Sequence, residues 1–188
     1  MPLYIIHALK ELPLIKKKME KNRELLQQHS SGISTVLPEF KDKDKQTKYV
    51  NSLLQSNIDL ARRYLKLKNC LAYTNAVSKI TIDGLTYSVV ELITIRKEMG
   101  NEVDRTYSSL NDRQGHALLG RYGSGAAKDG PTLVCYYDAQ RKSADEKKWY
   151  DFWTKIDAEL EIFNARTFLL DPETGKPIDS GDPEAAVD

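Results

Sequence analysis

Apolar residues recur along this chain at alternating steps of three and four, the spacing that draws a single stripe along a helix. In the first segment, about Leu3 to Gln28, the stripe is Ile5, Ala8, Leu12, Ile15, Met19, Asn22 and Leu26, and the basic residues Lys16, Lys17, Lys18, Lys21 and Arg23 mostly fall off it. Pro13 lies inside this segment, lacks a backbone donor and clashes with the carbonyl one turn back. The segment is therefore expected to divide into a short helix over 1–11 and a longer one starting at Pro13. Residues 29–40 read as a connector, because Ser30, Ser31 and Gly32 end the helix and Pro38 keeps it broken. The second helix, about 42–76, carries the clearest stripe, with Val50, Leu53, Asn57, Leu60, Tyr64, Leu67 and Leu71 in three-four spacing and an acidic cap among Asp42 to Asp44. At 1.5 Å per residue such a helix runs to roughly 50 Å. It needs a companion along its length, which predicts coiled-coil-like packing in a homo-oligomer. Asn22 and Asn57 take apolar positions in the two stripes. Either they meet another Asn and fix register and partner number, or the seam reaches water there.

The period then changes. Lys79 to Tyr87 alternates β-formers around Asp83-Gly84, the strongest short signal for a two-residue hairpin turn. Ser88 and Glu91 form a capping box that opens a third helix. Val89, Leu92, Met99, Val103 and Leu110 line its stripe, with Arg96 and Thr106 as polar members, and it ends within 111–115. Residues 115–130 hold five of the ten glycines and are expected to form a loop. Thr132 to Tyr137 predicts a further short strand able to pair with the hairpin. Ser143 and Glu146 predict a second capping box, for a helix over about 144–166 whose seam carries Trp149, Trp153, Ile156, Leu160 and Phe163. From Asp171 the chain turns rich in Pro, Gly and Asp, and 171–188 reads as a disordered acidic tail. The fold class expected is mainly α, with long antiparallel, coiled-coil-like helices, a small β-hairpin and one further strand, in a single domain over 1–170.

Composition narrows the function classes. The chain of 188 residues has 28 basic and 27 acidic side chains, a net charge of +1. A dedicated nucleic-acid binder shows a marked basic excess, so global charge gives that class no support. Neither a signal peptide nor a membrane span is recognisable. Cys70 and Cys135 lack metal-type spacing and read as buried free thiols of a reducing, cytoplasmic compartment.

Three short segments carry a resemblance to a family. Thr74-Asn75 closes the second helix before the hairpin and looks like an Asn-Arg-Thr-Asn segment. Arg121-Tyr122 with Ser124 looks like an Arg-Tyr-Ser segment. Ile156-Asp157-Ala158-Glu159-Leu160, followed by Asn164 and Thr167, looks like a Leu-Asp-X-X-Ile-Gln-X-X-Asn-X-Thr pattern. In these segments and in the order of elements over about 8–170, the chain resembles the uncharacterised bacterial proteins named septicolysin-like. It departs from them in the glycine insertion at 115–130 and the acidic tail. The resemblance implies a helical, oligomeric fold with a small β element. The family name suggests a cytolysin.

Candidate chemistry is sparse. Gly115 to Gly120 has the glycine spacing of a phosphate loop, without the Lys and Ser/Thr that contact phosphate and magnesium, and after a helix where a strand belongs. A plain anion site fits better. Glycine amides can cradle an anion, Arg121 can pair with it and Tyr122 can stack on a base. His7, His29 and His116 stand alone, so no metal ligand set is expected. No cofactor motif and no nucleophile–base signature occurs, so the expectation is no enzyme. The leading reading is a non-enzymatic homo-oligomer that binds, and sequesters, a small anionic or nucleotide-like ligand through Arg121, Tyr122 and Ser124, with Asn75 and Asn164 as further polar contacts. The rivals are a structural or protein-interaction scaffold without a ligand and a membrane-acting toxin.

Overall fold

A computed structural model describes residues 1–33, 42–122 and 130–180. The described chain is mainly helical, with α1 Ile5–His29, α2 Lys43–Val77, β1 Lys79–Ile82, β2 Leu85–Ser88, α3 Val89–Thr94, a π-helical turn Ile95–Met99, α4 Gly100–Ser109, α5 Arg113–Tyr122 and α6 Ala139–Arg166. It forms two compact units where one domain over 1–170 was expected: residues 1–78 with 161–188, and residues 79–160.

In the first unit, α1 and α2 turn their stripes toward each other. Ile5, Ala8, Leu12 and Ile15 are buried from α1, and Leu67 and Cys70 from α2, with Met19, Leu60 and Tyr64 packed alongside. Polar pairs fix an antiparallel register. Gln46 Nε2 donates to the carbonyl of His29 (2.8 Å), Asn22 Nδ2 to Asn57 Oδ1 (3.1 Å), and Arg63 to both carboxylate oxygens of Glu11 (2.8 and 3.0 Å). The two stripe asparagines therefore meet within one chain, and the companion that α2 needs is α1. Pro13 does not divide α1. It is exposed on the side away from the stripe, and the unbroken burial from Ile5 to Ile15 offsets the lost backbone bond, worth about 3 kcal/mol.

The expected disordered tail is corrected for residues 171–180. Leu169 and Ile178 are buried. Leu3 N donates to Ile178 O (2.9 Å), Leu169 N to Leu3 O (2.8 Å) and Ile178 N to Leu169 O (2.9 Å), so the N-terminal segment is stitched to both limbs of a turn. Asp171 closes that turn, accepting from Glu173 N (2.8 Å), and Gly175 takes the positive φ (65°) it requires. Thr74, fully buried on α2, accepts from Leu170 N (2.9 Å) and donates to Cys70 O (2.7 Å). Residues 181–188 lie outside the described residues.

In the second unit the hairpin is as the sequence predicts. β1 and β2 pair antiparallel with Ile82 opposite Leu85, and Asp83 (φ 50°) and Gly84 (φ 82°) both occupy the left-handed region of the turn. Ser88 opens α3. Its Oγ accepts from Glu91 N (3.1 Å) and its N–H donates to Glu91 Oε2 (2.6 Å), and these bonds hold the Glu91 carboxyl below its ordinary range. Ile82, Leu92 and Ile156 are buried together, with Ile80, Tyr87, Ile95, Phe152, Trp153 and Leu160 packed around them. The third helix is not one regular stripe. The π-helical turn inserts one residue into its period, so Met99 is exposed and Gly100 is buried against the Trp153 ring, where an added Cβ would meet ring carbons at 3.6 Å. Arg96 clamps this stretch to α6 with bonds from Nε to both oxygens of Asp157 (2.7 and 2.9 Å).

Two further expectations are corrected in this unit. Residues 131–137 take no strand conformation, and among the described residues the one regular sheet is two-stranded. α6 begins at Ala139, not at 144, because Asp138 supplies the cap by accepting from Gln140 N (2.8 Å) and Arg141 N (3.0 Å).

Candidate functional site

The segment expected to be a glycine loop is helical over its first half. Gly115 to Tyr122 belong to α5, and 123–129 lie outside the described residues. Gly115 has a packing reason. A Cβ there would run into Leu133 Cδ1, so glycine lets the extended 131–137 segment lie close along α5. Between them is a cleft of about 510 Å³ lined by Leu110, Leu118, Leu119, Leu133 and Val134, with Asn111, Asp112, Gln114 and Tyr137 among its polar members. That volume is in the range of small-molecule pockets. Gln114, Leu118 and Arg121 follow one another at i, i+4 and i+7, so Arg121 continues the helix face that lines the cleft. It is exposed, in the last turn of α5. The opposite end is acidic, where Asp112 Oδ2 is 3.2 Å from His116 Nε2.

The remaining predicted residues are not gathered here. The side chain of Tyr122 and all of Ser124 lie outside the described residues. Asn75, on α2, and Asn164, in the last turns of α6, are half-buried and belong to the first unit, whereas Arg121 belongs to the second. What the sequence reading missed is the 131–137 segment as a cleft wall; the clue was Gly115, whose missing side chain makes room for a neighbour.

The two cysteines differ, which corrects the expectation of two buried thiols. Cys70 is buried, and burial followed by the Asp171 carboxylate pushes its thiol up; Cys135 is exposed and lines the cleft. Cys135 makes no hydrogen bond to His116, so no thiol–imidazole pair is formed. A thiol reagent at neutral pH is expected to modify Cys135 within minutes and Cys70 only after denaturation. Two rapid equivalents in the native protein would contradict this.

Among the described residues, no cluster of His, Cys, Asp or Glu is placed to hold a metal ion, and no helix is long and apolar enough to cross a membrane. No protein family, curated protein or solved structure is matched by this chain. The site is therefore argued from its geometry.

Proposed function

We propose that this chain is a non-enzymatic ligand-binding protein whose α5 cleft holds a small amphipathic anion. The apolar body lies on Leu118, Leu119, Leu133 and Val134, and the anionic end pairs with Arg121. One observation carries the reading: an apolar cleft of about 510 Å³ whose lining helix face runs on to an exposed guanidinium. Apolar walls supply burial at about 25 cal/mol per Å², and a single arginine supplies orientation and charge preference. A nucleotide fits less well, since one cation answers its several charges.

Thermal shift and calorimetry against medium-chain carboxylates, phosphate esters and nucleotides test this. At least one carboxylate or monoester is expected to raise Tm by mass action. Arg121→Gln is expected to weaken it roughly tenfold or more, the scale of a hydrogen bond to a charged group. No response to any compound, or equal response to the matching neutral alcohols, would sink the proposal.

A homo-oligomeric scaffold is the second reading, favoured by the outer face of α2. There Leu54, Ile58 and Leu65 are 51%, 41% and 60% exposed at i, i+4 and i+11. Light scattering showing more than one chain per particle, with no ligand response, would favour it.

A further inference from the structure

A second groove in the same unit has different chemistry and a different occupant. α4 contributes Val103, Asp104 and Tyr107, and α6 contributes Glu146, Lys147, Trp149, Tyr150 and Trp153, around a cavity of about 260 Å³. The α6 residues Glu146, Trp149 and Trp153 recur at steps of three and four, so the sequence reading places Trp149 and Trp153 in a packed seam. They are instead half-buried, their ring centroids 6.2 Å apart and inclined by 38°, and Tyr150 beside them is 68% exposed. Aromatic surface left in water forgoes burial that a core would recover. The indole N–H of Trp153 is buried without an acceptor among the described residues.

We propose that this groove binds a small quaternary ammonium cation. Ring faces are negative and attract a cation held within about 6 Å of the centroid. Asp104, which makes no hydrogen bond or ion pair among the described residues, and Glu146 add negative charge. Glu146 is 4.0 Å from Lys142 Nζ, but that ammonium also donates to Leu110 O at 2.9 Å. Lys147 is the one cation in the lining, exposed and adjacent in sequence to Glu146. Two carboxylates and no basic partner aimed at an anion disfavour a negatively charged ligand. A metal cation such as calcium wants six or more oxygen ligands, which aromatic walls do not offer. A primary ammonium brings three donors that each need an acceptor. A fully methylated nitrogen brings charge, apolar surface and no donor, which suits rings flanked by carboxylates.

The chain has two tryptophans, and both line this groove, so intrinsic fluorescence reports occupancy directly. Tetramethylammonium and choline are titrated at constant ionic strength, beside 3,3-dimethylbutan-1-ol, the uncharged isostere of choline. Saturable change with the cations and none with the alcohol is the expected result. Asp104→Asn should weaken binding roughly threefold, and Tyr107→Leu by roughly three- to fivefold. Arg121→Gln should leave it unchanged, which separates this site from the α5 cleft. Tyr107→Leu also removes packing, so Asp104→Asn, at an exposed position, carries the test if that variant unfolds. Equal binding of the alcohol, no saturable response, or an unaltered affinity in Asp104→Asn would overturn the proposal. So would binding confined to a trimethyl-lysine peptide, which would make the occupant a macromolecule.

Discussion

Leu67→Ala is expected to lower stability by about 2–5 kcal/mol, the range for removing a buried leucine side chain from a core that relaxes only partly. Leu67 has no exposed surface and lies among Leu3, Ile5, Ala8, Leu12, Ile15, Cys70 and Leu169. Leu and Ala differ little in helix propensity, so the loss is one of packing. Leu65, two residues earlier on the same helix, is 60% exposed, and Leu65→Ala should stay within about 0.5 kcal/mol. Urea unfolding of both variants, followed by far-UV circular dichroism, checks the contrast. Similar midpoints for the two would mean that the α2 stripe is not buried as described.

Ending the chain after Leu170 is expected to cost about 3–5 kcal/mol, from the lost burial of Ile178 and the backbone bonds that Leu3 and Leu169 exchange with it. A loosely attached tail would leave the midpoint unmoved. Ile178→Ala offers a milder form of the same measurement and keeps the turn in place. It should cost about 2 kcal/mol or more, and an unchanged midpoint there would contradict the burial of Ile178.

How legible each part was depends on whether its signal is local. α2 could be read because one uninterrupted stripe states both the helix and its buried face. The hairpin could be read because Asp83-Gly84 satisfies two positive φ angles at once. Partner identity is not local. The stripes of α1 and α2 each state that a helix must cover them, but not whether that helix comes from the same chain. Residues 132–137 carry β-formers without a sheet edge to accept them, and β propensity mostly expresses fit to such an edge. The 171–180 segment was misread because Pro, Gly and Asp serve tight turns as well as disorder, and what decides is a pair of apolar residues, Leu169 and Ile178, nine apart. Of the candidate site, Arg121 was legible as a lone cation near glycines. The cleft beside it was not, since it depends on Leu133 packing over Gly115.

The π-helical turn at Ile95–Met99 makes this stretch of chain sensitive to length more than to composition. Deleting one residue there would restore an ordinary helical repeat, yet would swing everything downstream by about 100° around the axis. Gly100 would leave the Trp153 ring, and Asp104 and Tyr107 would turn away from Trp149. Substitutions in these five residues are therefore far easier to accommodate than the loss of one of them.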